Sequence, residues 1–212
     1  METSGSPLHL AELLAARLCH EFSGLIGAVA SAIGAVEDDG AAALGLAAEA
    51  ASALTLRLRL WRAAWSEADE MLGVADLLDL LRALPGARRI AYETVGLPAE
   101  VAFSPEATRL LLNVLILATE SLPLGGRVLL SGQPSGDVVV AIEGPRAGWP
   151  AGFAAWLADA ACAWAALGSP RTLQGPLTAL MARESGLRLS PLFPAAAADA
   201  TPSPLLLGLA PS

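Results

Sequence analysis

From Pro7 to about Ala68 the apolar positions recur at helical spacing. Leu10, Leu14, Leu18, Leu25, Val29, Ala32 and Val36 fall at intervals of three, four and seven, the repeat of a single stripe along an amphipathic helix. The turn-like run Glu37-Asp38-Asp39-Gly40 divides the stretch into two arms, and the second arm ends on Leu54, Leu58 and Trp61 with Arg57, Arg59 and Arg62 interleaved. The pattern predicts a helical hairpin over residues 1–68. Two helices alone bury little, so pairing with a second copy into a dimeric four-helix bundle is the natural way to cover both stripes.

Beyond about Glu70 the period changes. Val74 to Leu84 reads as helix, Arg88 to Thr94 and Val101 to Phe103 as extended, and Pro105 to Leu122 as helix again. Arg127 to Ser131 and Val138 to Glu143 alternate like the arms of a hairpin around Pro134-Ser135-Gly136-Asp137. Trp149 to Ala166 and Leu173 to Ser185 are expected to be helices and Leu187 to Leu192 a strand. Pro194 to Pro204, rich in Ala and Pro, is expected to be a loop, and Leu205 to Leu209 a closing edge strand. The predicted class is α+β, with residues 69–212 forming an α/β sandwich of helices over a mixed sheet.

Composition narrows the setting. With 54% hydrophobic residues in 212, the chain has ample material for a core. The apolar run Phe22 to Val36 falls short of the ~20 residues a membrane span needs and carries Gly24, Gly27 and Gly34, so no membrane role is expected. No charged segment followed by an apolar one opens the sequence, which points to a cytoplasmic, unsecreted protein. Cys19 and Cys162 suit a reducing compartment and are too few for a cysteine-based zinc site. A formal net charge of −8 argues against nucleic acid as partner, since phosphate binding needs a concentrated basic surface. Every basic residue is Arg, which removes Schiff-base and P-loop lysine chemistry.

Two histidines occur, His9 and His20. At about 100° per residue, His20 points about 140° away from the apolar stripe of its own helix and is expected to face solvent. Ala16, Ser23, Gly24, Gly27, Ser31 and Gly34 share that face and are all small. Glycine inside a helix costs about 1 kcal/mol relative to Ala, so three of them call for a reason. Close approach of another domain supplies one; packing against a neighbouring helix supplies another. An exposed imidazole is a competent nucleophile toward a phosphoryl group when its second ring nitrogen is held. Glu21 is a candidate for that orienting role, and Arg17, one turn earlier, for steadying phosphoryl charge through its planar donors. The alternative is that both are ordinary surface charges. His9, near the fraying end, receives no role, and Cys19 is expected to be a buried structural thiol.

Leu18-Cys19-His20-Glu21-Phe22 resembles the phosphoacceptor box of histidine kinases, a His followed by an acid and an apolar residue. Together with Arg57-Leu58-Arg59-Leu60-Trp61-Arg62-Ala63-Ala64-Trp65, the stretch Leu111 to Gly126 and Arg171-Thr172-Leu173-Gln174-Gly175-Pro176-Leu177, it makes nearly the whole chain similar to the ChpT-type histidine phosphotransferases of alphaproteobacteria. The resemblance implies a dimerisation and histidine-phosphotransfer hairpin followed by a degenerate histidine-kinase ATPase-like domain. Kinases carry two asparagines four residues apart on the long helix; here Asn113 fits the first and Leu117 stands at the second, where an apolar side chain cannot coordinate Mg²⁺. The adenine-contacting Asp-x-Gly-x-Gly loop falls near Glu143-Gly144-Pro145-Arg146-Ala147-Gly148 without its aspartate, and the glycine-rich phosphate loop, near Arg171 to Leu177, retains one glycine. Kinase boxes often place a Thr or Asn four residues after the histidine and then a proline, where this chain has Gly24 and Leu25, so a continuous helix is expected.

The resemblance thus implies phosphotransfer without ATP. His20 would be the phosphoacceptor, Glu21 its orienting carboxylate and Arg17 its charge support, with Ala16, Ser23, Gly24, Gly27 and Ser31 forming the receiver-docking face. The partners implied are receiver domains of a hybrid histidine kinase and of response regulators. The receiver supplies the Mg²⁺, and this chain binds no cofactor or metal of its own. A non-catalytic adaptor, with His20 incidental, is the rival reading; an active atypical kinase is a third.

Overall fold

The computed structural model describes residues 5–36, 40–66, 71–98, 100–133, 136–193 and 202–211. Helix α1 spans Pro7–Gly34 and is started by Ser6, whose hydroxyl accepts the backbone N–H of His9, with Pro7 in the first turn where a missing N–H costs nothing. Helix α2 spans Gly40–Trp65 and packs back along α1. The hairpin is therefore present and α1 runs unbroken past His20. The expected Glu37-Asp38-Asp39 turn lies outside the described residues.

At 28 and 26 residues, α1 and α2 are each long and apolar enough, by length and composition, to cross a membrane, each holding an 18-residue stretch with mean hydropathy of 1.3. The expectation of no membrane role rests on Phe22 to Val36, the run between polar residues, which is shorter than α1 itself. Most of this apolar surface is uncovered within one chain; Ile26, Ile33, Leu44 and Leu46 are all exposed.

After a short β1 (Leu72–Gly73) come α3 (Val74–Leu81), β2 (Ile90–Val95), β3 (Ala102–Phe103), α4 (Pro105–Glu120), β4 (Gly126–Gly132), β5 (Val138–Glu143), α5 (Phe153–Ala158), α6 (Ala160–Ala165), α7 (Gln174–Glu184), β6 (Leu187–Pro191) and β7 (Leu205–Pro211). β1 and β3 form a small antiparallel pair; the other strands form a sheet in the order β2-β4-β5-β7-β6, mixed because β2 and β4 alone run parallel. A parallel pair needs a crossover, and β3 and α4 provide it. Alternation fixes the buried face: Val128 and Leu130, Val138, Val140 and Ile142, Leu205 and Leu207, and Leu187 and Leu189 all point to the core.

Helix α4 is buried without a break from Leu110 to Thr119, as an element enclosed on all sides must be. It packs between the sheet, α7 and the end of α2. The hairpin is thereby joined to the core of the α/β unit through Leu60, Trp61 and Ala64, all nearly inaccessible.

Three expectations need correction. The predicted helix Trp149 to Ala166 is two short helices broken at Asp159, which is extended and whose carboxylate accepts the N–H of Ala161 to start α6. Strand β7 is no edge: it lies between β5 and β6, so β6 closes the sheet instead. The helix from Val74 stops at Leu81, and a single 3₁₀ turn at Ala87–Arg89 precedes β2. Residues 134–135 of the predicted hairpin turn and 194–201 of the predicted loop lie outside the described residues.

Candidate functional site

The register of α1 turns the predicted stripe inward in part: Ala32 is buried, and Leu10, Leu14 and Leu18, with Phe22 beside them, pack against the core. His20 is exposed, on a face it shares with the buried Leu13 seven residues earlier. Ala16, Ser23, Gly24, Gly27 and Ser31 are exposed along that face too. A methyl group added at Gly24, Gly27 or Gly34 would meet nothing within 4 Å, so no close contact among the described residues accounts for these glycines. Cys19 is exposed rather than buried, a correction of the expected structural thiol.

His20 opens onto a pocket of about 510 Å³ that both units build. Ala16, Arg17 and Glu21 line it from α1, Glu120 from the C-terminal end of α4, and Ser169, Pro170 and Arg171 from the loop before α7.

Arg17 is not the surface charge considered as an alternative. It is 7% exposed. Its Nη2 donates to Glu120 Oε1, its Nη1 donates to the Pro170 carbonyl at 3.3 Å, and its guanidinium lies 5.2 Å over the Trp61 ring. Its buried Nε has no partner among the described residues. Glu21 is equally engaged: Oε2 accepts from Arg57 Nη1 at 3.1 Å in a pair whose side chains are mostly buried. Arg57 in turn donates Nε to the Ala83 carbonyl at 2.8 Å, tying the middle of the hairpin to the segment after α3. Burial raises the Glu120 carboxyl above its ordinary range; Arg17 opposes that shift and the charge of Glu21 adds to it.

The residues at the nucleotide-motif positions are built into the core. Asn113 is fully buried and uses all of its side-chain capacity. Nδ2 donates to the carbonyls of Ala64 and Arg109 at 2.7 and 2.8 Å, and Oδ1 accepts from Trp65 Nε1 and Gln174 Nε2 at 3.1 and 2.9 Å. Leu117 is a core side chain. At Gly175 an added Cβ would fall 2.7 Å from the Trp156 ring, so this glycine admits an indole. No three His, Cys, Asp or Glu side chains gather into a metal-holding group among the described residues.

The sequence reading missed Glu120, Arg57 and the Ser169–Arg171 loop. Glu120 carried a weak signal, as the one acid after a continuous apolar stretch on α4. Its meeting with Arg17, 103 positions away, is a product of the fold. His9, which received no role, contacts the Leu167 carbonyl through Nε2 at 3.2 Å and helps seat the start of α1.

Residues 74–194, more than half of the chain, match the family model of the histidine phosphotransferase C-terminal domain. A solved bacterial phosphotransferase superposes with a TM-score of 0.67 at 23% identity, covering 95% of this chain and 96% of that one, and shares the fold. Two looser likenesses are full-length ShkA in complex with AMPPNP (TM-score 0.39, 17% identity, covering 98% of this chain and 47% of that one) and the histidine kinase domain of the blue-light activated kinase of Erythrobacter litoralis EL346 (TM-score 0.38, 14% identity, 95% and 92%). No curated protein sequence matches the chain.

Proposed function

The chain belongs to the histidine phosphotransferase family, and from that premise we propose that it relays phosphoryl groups between receiver-domain aspartates through a phosphohistidine at His20, without using ATP. The observation that carries the reading is the exposed imidazole standing over a pocket walled by both units, with a fixed guanidinium one helical turn away.

The chemistry asks little of the protein beyond alignment and charge support. The unprotonated ring nitrogen of His20 attacks phosphorus in line. The N–P bond forms as the P–O bond to the receiver's aspartate breaks, and the aspartate leaves as a carboxylate with the electron pair. The other ring nitrogen keeps its proton, so the positive ring is balanced by the phosphoryl oxygens. Reversal onto a second receiver completes the relay. Arg17 supplies donors toward the phosphoryl group. The small, uncovered face from Ala16 to Ser31 leaves room for the receiver's loops, and the receiver brings the Mg²⁺. Glu21 shapes the site from its pair with Arg57.

Nucleotide does not fit the motif positions: Asn113 has no free lone pair, Leu117 is apolar, and Gly175 is covered by Trp156. The exposed Ile26, Ile33, Leu44 and Leu46 support a homodimer in which a second hairpin covers them. Light scattering should return the mass of two chains; a single-chain mass refutes the dimer.

Mixing the protein with a radiolabelled phosphorylated receiver tests the function. Label should move to this chain in an acid-labile, base-stable linkage and vanish in His20→Ala. Absence of transfer, or undiminished transfer in His20→Ala, overturns the reading in favour of an adaptor.

A further inference from the structure

Arg17 could act on a phosphoryl group at His20 only if its guanidinium stays where the pocket needs it, and a lone arginine does not. Its side chain has four rotatable bonds and loses about 2 kcal/mol of conformational freedom when fixed. Three contacts oppose that here: the Trp61 ring beneath, the Pro170 carbonyl on Nη1 and Glu120 on Nη2. Only the last is ionic, and it comes from the other unit. We propose that Glu120 is a positioning residue for phosphotransfer, holding Arg17 at the floor of the His20 pocket so that its remaining N–H groups face the phosphoryl group. The inference rests on the reading of His20 as phosphoacceptor.

The placement of Glu120 argues against a merely structural pair. A carboxylate at the C-terminal end of a helix, lining the same pocket as a second acid, Glu21, is unfavourably placed unless a cation pairs with it. It stands at the rim of a cavity that also holds His20 and Arg171. An anion set there repels an incoming phosphoryl group unless its charge is spent on a cation that the phosphoryl group then shares. Arg17 is that cation: the bonds to Glu120 and to Pro170 use one N–H of Nη2 and one of Nη1, and its side chain lines the pocket beside His20. Residues 17 and 20 are neighbours on one helix surface, separated by one turn.

Transfer from a labelled receiver, measured per folded molecule across receiver concentrations, tests this. Glu120→Ala should lower the rate at saturating receiver about 10- to 100-fold, the worth of one charge-assisted hydrogen bond, with little change in the concentration giving half-maximal rate. Glu120→Gln, which keeps an acceptor for Nη2, should retain most of the rate. In an Arg17→Ala background, Glu120→Ala should add nothing, and sub-denaturing guanidinium should restore transfer to Arg17→Ala but not to Arg17→Ala/Glu120→Ala. A structural role would not produce that rescue pattern. An unchanged saturating rate in Glu120→Ala, or an equal loss in the Arg17→Ala background, overturns the proposal while wild-type labelling at His20 leaves the phosphotransfer reading standing. Failure of the wild type to accept label overturns both.

Discussion

Asn113 offers the sharpest test of how the two units are held in register. Replacing it by Ala removes the only side chain that bonds α2, α4 and α7 at once among the described residues. Gln174 Nε2 keeps two acceptors, the Asn113 carbonyl and Thr178 Oγ1. Two groups lose the partner they have among the described residues: the Ala64 carbonyl at the end of α2 and the Trp65 indole N–H. An unsatisfied buried group costs about 1–3 kcal/mol. With Trp65 only half-buried and its share at the low end, the two cost about 3 kcal/mol, and the small void adds about 1 kcal/mol. Asn113→Ala should therefore lose about 4 kcal/mol, read as a lower urea midpoint at unchanged slope by tryptophan fluorescence and far-UV circular dichroism. A loss under about 1 kcal/mol would refute the accounting. Because Glu120 and the Ser169–Arg171 loop reach His20 only through this packing, phosphotransfer by the folded variant should fall as well.

Gly24→Ala and Gly27→Ala meet no neighbour among the described residues, so each should stabilise the helix by about 0.5–1 kcal/mol; if the face docks receivers, transfer should slow while the thermal midpoint rises, and a rise without slowing removes the docking role. Arg57→Ala leaves the mostly buried Glu21 carboxylate unpaired and should cost about 3 kcal/mol; a shift in thermal midpoint no larger than that of an exposed Arg82→Ala control contradicts the structural weight given to the pair. Folding raises the Glu120 carboxyl, so the native state binds the extra proton and this group's contribution is fully present below its unfolded value, then lost as pH rises through the higher folded one. Charges facing it are Arg17 and Glu21 from α1 and Arg171 from the loop before α7. The stability of wild type minus that of Glu120→Gln should fall with rising pH across that window; a rise means pairing with Arg17 outweighs burial.

What the sequence made legible follows from the range of the interactions. The α1 stripe and the alternation in β4 and β5 are local periodicities, set by which side faces a core of any composition. The break at Asp159 was legible in principle, since an Asp before an Ala-rich run is a helix-start signal, but the apolar content on both sides masked it. The position of β7 was not legible: a strand announces its own buried face, not its neighbours, and β7 slots between strands that precede it by very different distances along the chain. The burial of Arg17 was the least legible feature of the site. Its burial depends on Trp61, Glu120 and Pro170, which come from α2, α4 and the loop before α7, and no window around position 17 contains them.

The same long-range packing bears on nucleotide. For Asn113 to offer its oxygen to a hydrated Mg²⁺, it would have to abandon Trp65 Nε1 and Gln174 Nε2. At about 1–3 kcal/mol each, the rearrangement costs about 2–6 kcal/mol, a penalty of roughly 30-fold to 10⁴-fold in affinity before any contact with phosphate is counted. Leu117 offers no compensating ligand, and at Gly175 the close approach open to a glycine is already taken by Trp156. Titration with Mg-ATP in a calorimeter should therefore give no saturable heat, and Asn113→Asp should not create one, because the added charge is buried among the same partners. Saturable binding by the wild type would mean that the α4–α7 interface opens, and the accounting that makes Asn113 a fixed hub would fail with it.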